Sequence, residues 1–117
     1  MQEYEGRCHC GAIKFSFKAP KIVDGLRCNC TICSNKGALM SSFLVPQEDL
    51  LVEIKDGALA TYKFATEVAE HHFCKICGIY PFHHTLRKKG HYRVNLGCIE
   101  GVDSLKLPFD VIDGASL

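Results

Sequence analysis

The sequence predicts an all-β domain stapled by metal, with one or two short helical turns. Three observations lead there. Short segments alternate apolar and polar residues, as in Ala12-Ile13-Lys14-Phe15-Ser16-Phe17-Lys18 and His91-Tyr92-Arg93-Val94-Asn95-Leu96, which is the two-residue period of half-buried strands. Glycine and proline punctuate these segments at turn positions. Eight cysteines are present, and seven of them fall in C-x-C or C-x-x-C clusters.

A length of 117 residues fits one domain, residues 1–117, with a modest core. The formal net charge of +1 argues against a general nucleic-acid binder, which carries a strongly basic face. No apolar run reaches the 18 or so residues of a membrane span. Met1-Gln2-Glu3-Tyr4-Glu5-Gly6 is polar and acidic, unlike a signal peptide, so the expected compartment is the cytoplasm.

In chain order, Cys8-His9-Cys10 followed by Gly11 reads as a tight knuckle, and Ala12–Lys18 as a strand ended by Pro20. Ile22 to Arg27 is expected to be a strand delivering Cys28. Thr31 to Lys36 fits a single helical turn with Thr31 as cap and Gly37 as stop. Ala38–Val45 is the most apolar run and reads as a central strand. A helical turn follows over Pro46–Leu50, then extended chain over Leu51–Ile54 and a turn at Lys55-Asp56-Gly57. Ala60–Phe64 and Ala69–Phe73 read as strands, the second feeding a second knuckle at Cys74-Lys75-Ile76-Cys77-Gly78. Ile79–His84 leaves it, and the internal Pro81 points to an edge or bulge. The last strands are His91–Leu96 and a short one within Leu105–Ile112.

Clustered thiols in a chain without a secretion signal are metal ligands or redox groups before they are disulfides, and bridges within such clusters would be strained. Cys8, Cys10, Cys74 and Cys77 make one complete four-thiolate set from two distant pairs. With zinc such a set is closed and carries a charge of −2, which suits a structural staple. Cys28, Cys30 and Cys33 make a second set in a C-x-C-x-x-C pattern, one ligand short of a closed tetrahedron. The fourth position is open to water, an incoming thiol, a histidine or Cys98. An open position is what separates catalytic from structural zinc.

Cys98 stands among apolar neighbours and reads as a small core residue. His71 and His72 are adjacent on a strand and face opposite ways, as do His83 and His84, so one of each pair can point inward as a base or ligand. His9 is expected to be exposed. Arg87-Lys88-Lys89-Gly90-His91 is the only basic cluster and reads as a solvated hairpin loop.

Several segments together resemble the glutathione-dependent formaldehyde-activating enzyme family, which includes the centromere protein V domain. They are Gly6-Arg7-Cys8-His9-Cys10-Gly11-Ala12-Ile13-Lys14-Phe15, Cys28-Asn29-Cys30-Thr31-Ile32-Cys33, Thr61-Tyr62-Lys63-Phe64, Phe73-Cys74-Lys75-Ile76-Cys77-Gly78 and Val94-Asn95-Leu96-Gly97-Cys98-Ile99-Glu100-Gly101. The resemblance implies β-tent sheets and two zinc ions per chain. It also implies a structural zinc on Cys8, Cys10, Cys74 and Cys77, and a functional one on Cys28, Cys30 and Cys33.

The expected activity is that of a carbon–sulfur lyase acting on a thiol adduct, with S-(hydroxymethyl)glutathione formed from, or broken down to, glutathione and formaldehyde. The expected partner is a small-molecule thiol such as glutathione. Two other classes fit the cysteines: a non-catalytic zinc-binding interaction module, and a labile-zinc or redox sensor.

Overall fold

The computed structural model describes residues 1–63, 70–85 and 88–116. In chain order the described elements are β1 (Gln2–Arg7), β2 (Ile13–Ala19), β3 (Gly25–Cys28), α1 (Thr31–Lys36), β4 (Val45–Pro46) and β5 (Leu51–Ile54). They continue with β6 (Leu59–Tyr62), β7 (Glu70–Cys74), β8 (Phe82–His84), β9 (His91–Val94) and β10 (Phe109–Ile112). Single 3₁₀ turns occupy Gln47–Asp49, Leu96–Cys98, Ser104–Lys106 and Gly114–Ser116.

The described strands form three sheets. One is antiparallel in the order β1-β2-β5, and a second is antiparallel in the order β4-β9-β8-β7-β6. The third is the parallel pair β3–β10, with Cys28 opposite Ile112. The turn after β5 does not fold the chain back on the same sheet. It closes through Ala58 N–H to Lys55 O at 3.0 Å and hands the chain from the first sheet to the second.

The alternation along β2 does what its period requires. Ile13, Phe15 and Phe17 are buried, while Lys14 and Lys18 are exposed. Phe15 meets Phe82 of β8 edge to face, with centroids 5.4 Å apart and planes at 83°. That contact joins the inner faces of the two larger sheets. Each such phenylalanine stabilises the fold by about 1.5–3 kcal/mol through burial.

Several expectations are corrected here. Ala38–Val45 is not a central strand. Leu39, Met40 and Val45 are buried as an apolar run demands, yet only Met40 bridges neighbours, Leu26 and Asn95, before β4 begins. The Ser41 hydroxyl bonds to Phe43 O, and Arg93 Nη1 donates to the carbonyls of Ser41 at 2.8 Å and Ser42 at 3.1 Å. Side chains thus take bonds that a strand would give to a neighbour. Gln2–Arg7, read only as a polar start, is a full strand paired along β2.

Pro81 marks no edge. It is fully buried just before β8, a central strand of its sheet. The helical turn sits where expected, but its cap residue is Cys30 without a side-chain bond, and Gly37 stops it at φ 65°. The strand before Cys28 is shorter than Ile22–Arg27, and Leu96 opens a 3₁₀ turn rather than ending a strand. Phe64, Ala69 and Arg87 lie outside the described residues.

Candidate metal centres and the polar wall beside them

The two knuckles are built alike. Cys8 N–H reaches Ile13 O at 3.0 Å, and Cys74 N–H reaches Ile79 O at 2.9 Å. Each closes through a glycine in the left-handed region, Gly11 at φ 81° and Gly78 at φ 79°, where a side chain would be strained. The closure turns backbone amides toward sulfur, with Ile13 N–H lying 3.3 Å from Cys8 Sγ. Burial raises the Cys77 thiol, but hydrogen bonds from the backbone at Cys10 and Ile79 outweigh it and bring Cys77 down to about 6.

Because Cys8 follows β1 and Cys74 ends β7, the four sulfurs join the three-stranded sheet to the five-stranded one. All four lie within 4.8 Å of one another. Cys10 Sγ stands 3.7 Å from Cys8 Sγ and 3.7 Å from Cys74 Sγ. A tetrahedral zinc with sulfurs at about 2.3 Å spaces them about 3.8 Å apart. The set therefore fits such an ion in donor type, number and spacing.

The second set is delivered by the end of β3 and the start of α1. Cys28, Cys30 and Cys33 are all part-buried, and their sulfurs also lie within 4.8 Å of one another. Among the described residues no fourth donor joins them. Burial pushes the Cys33 thiol up to about 12, with the neighbouring sulfurs adding to the rise although Lys36 opposes it. Burial also acts to raise Cys30, but the Cys33 backbone amide, the two neighbouring thiols and Lys36 outweigh it and lower Cys30. Three adjacent sulfurs cannot all be anionic without a cation among them, and a divalent ion would supply it.

Beside this set stands a wall that the sequence did not reveal. Lys36 Nζ lies 3.2 Å from His83 Nδ1 and 3.8 Å from the centroid of the Tyr80 ring. Burial pulls Lys36 down to about 8, against the attraction of the three sulfurs. Tyr80 Oη lies 2.6 Å from His71 Nδ1. Burial, followed by the Cys33 and Cys30 charges, pushes the Tyr80 phenol up, so it stays protonated. Burial holds His71 down at about 4, with Lys36 adding to the effect. It holds His83 well below its usual range too, again with Lys36 next. Both imidazoles are neutral, and because the Lys36 ammonium can only donate, His83 accepts at Nδ1 and carries its proton on Nε2.

The histidine expectations divide accordingly. His71 and His83 pair across β7 and β8 on the side that meets Tyr80 and Lys36. His72 turns the other way, into the core between Phe82 and Tyr92, with Nδ1 3.0 Å from Thr61 Oγ1. His84 Nε2 accepts from Gly90 N–H at 2.9 Å, which ties down the turn of the basic loop. His9 is exposed. Cys98 packs against the core near Cys8 and Cys77 and joins neither set; burial raises its thiol to about 11.

A groove of about 660 Å³ opens elsewhere, over Phe17, Phe43, Pro46 and Leu51, and none of its lining residues is a cysteine. Its rim carries Lys88 and His91 but, among the described residues, no cluster able to hold a metal. No helix among the described residues is long and apolar enough to cross a membrane.

Comparison with known proteins identifies the family and a similar structure. The family model described as glutathione-dependent formaldehyde-activating enzyme matches residues 3–111. The chain is also similar to a Rhodobacter sphaeroides protein of known crystal structure, at 33% identity and a TM-score of 0.80, over 91% of this chain and 99% of that one.

Proposed function

Because the chain belongs to the glutathione-dependent formaldehyde-activating enzyme family, we propose that it makes and breaks a carbon–sulfur bond between a low-molecular-weight thiol, glutathione foremost, and formaldehyde. One observation carries the assignment to a site. The first cysteine set has four sulfurs and is complete, whereas the second has three. Cys8, Cys10, Cys74 and Cys77 would hold a structural zinc, and Cys28, Cys30 and Cys33 a second zinc with one position free.

A zinc bound there supplies a Lewis acid that can lower the pKa of a thiol or polarise a carbonyl. The chain's own residues shape the rest. The sharp turn between β3 and α1 gathers the three sulfurs on one side, and the polar wall of His71, Tyr80 and His83 borders them. In the proposed addition the thiol sulfur bonds to the carbonyl carbon. The carbonyl π pair moves to oxygen, which takes the proton given up by the thiol. The reverse step returns that proton to sulfur. The neutral His83 imidazole, with its proton on Nε2, is a donor suited to the oxygen side of this exchange.

The test uses ¹³C-formaldehyde and glutathione with the zinc-loaded protein, following the hydroxymethyl carbon by NMR exchange. Faster interconversion that depends on Cys30 is the expected result. Exchange no faster than the uncatalysed rate would contradict the proposal.

A further inference from the structure

Lys36 is a part-buried cation that forms no ion pair with any described carboxylate. An ammonium withdrawn from water without a counter-charge is costly. Its other contacts do not supply one, since the Tyr80 ring at 3.8 Å and His83 Nδ1 at 3.2 Å belong to neutral groups. The opposite charge therefore comes from sulfur. Lys36 follows Cys33 by three residues on α1, the spacing that puts two side chains on one helix face, and the attraction of the three sulfurs acts on its charge. The ring and the imidazole hold the ammonium in place beside the helix that carries Cys33.

A charge count shows what this does. Three thiolates and a divalent ion carry −1, and Lys36 brings the assembly to zero. A fourth thiolate would take it to −1, where the same site without Lys36 would reach −2. A neutral fourth ligand changes neither total. Building on the thiol reading of this site, we propose that Lys36 is its specificity-determining residue. Its fixed ammonium favours an anionic sulfur ligand, a small organic thiolate, over neutral water at the open position.

The experiment uses full-length protein loaded with cobalt and 2-mercaptoethanol as the probe, a thiol with no other charged group. The readout is the sulfur-to-cobalt charge-transfer absorption as thiol is added, alongside total bound metal. Lys36→Met is expected to weaken thiol binding roughly tenfold or more. Lys36→Arg, which keeps the charge and can stack on Tyr80, is expected to stay within a few-fold of the parent. Lys14→Met, on the exposed face of β2, serves as the charge control and is expected to match the parent. Lys36→Gln replaces the methionine variant if that one does not fold. Parental binding in the neutral variants would overturn the role of Lys36 and leave the thiol site standing. Equal loss in the arginine and neutral variants would also overturn it, because shape rather than charge would then matter. No new absorption in the parent at any thiol concentration would overturn the open-site reading and the role of Lys36 with it.

Discussion

Gly114 lies so close against Cys28 that a Cβ at that position would fall inside the contact distance of Cys28 Sγ. The 3₁₀ turn Gly114–Ser116 is held there from both sides. Asn29 Nδ2 donates to Asp113 Oδ1 at 3.0 Å, Ala115 N–H donates to Asn29 Oδ1 at 2.9 Å, and Ser116 Oγ donates to Asp113 Oδ2 at 2.8 Å. Asn29 sits between two of the cysteines, so the latch and the sulfur set share one piece of backbone. The two-stranded sheet β3–β10 ends at this junction, with Ile112 beside Cys28.

Replacing Gly114 with alanine is therefore expected to displace the Cys28 sulfur while leaving the distant four-sulfur set alone. A chelator titration should show one zinc bound as in the parent and the other held roughly tenfold or more weakly, in line with other disturbances just behind a metal's ligands. Two zincs of parental affinity would show that the turn can move aside without consequence.

Cys74→Ser opens the four-sulfur set at a residue that is fully buried and joins two sheets. Zinc affinity in such a set is folding free energy. The expected outcome is a lower melting temperature and loss of one zinc equivalent. A variant as stable as the parent would refute the structural role.

Cys30→Ser acts on the part-buried set instead. It should remove the second zinc and thiol-dependent activity while leaving circular dichroism and most of the stability in place. Unfolding of the variant would mean that this set, too, is a staple.

Acid should act through the buried histidines. Burial first, then Lys36, lowers His71 to about 4, and burial also lowers His72 and His83. An unfolded histidine takes up its proton near about 6.5. Between about 6.5 and about 4 the unfolded chain thus binds more protons than the folded one, and stability falls as pH falls through that window. Ring-carbon NMR shifts should show His71 and His83 still neutral at about pH 6. A titration midpoint near about 6.5 for His83 would contradict the burial argument.

What the sequence revealed and what it hid follow from the range of the interactions. Cys8 with Cys10, Cys28 with Cys30 and Cys33, and Cys74 with Cys77 are local spacings, so both sulfur sets could be seen before the fold, as could the knuckle glycines and the strand Ile13–Ala19. The wall was hidden because Lys36 meets His83 only through tertiary packing, across 47 positions. Nothing near Lys36 in the chain marks it as more than a helix-end lysine. Gly114 was hidden for the same reason. The apolar run Ala38–Val45 misled because burial alone does not distinguish a strand from an irregular segment whose carbonyls are taken by Arg93. The strand Gln2–Arg7 escaped notice because its residues are mostly polar, and only pairing with β2 along its length holds it extended.

The central claim, that one sulfur set is closed and the other open to a thiol, is tested most directly by native mass spectrometry of the parent and Cys30→Ser, each with and without glutathione. The account predicts two zincs in the parent, a glutathione adduct on that two-zinc species, and one zinc with no adduct in the variant. Two zincs in the parent with no adduct at any glutathione concentration would contradict it.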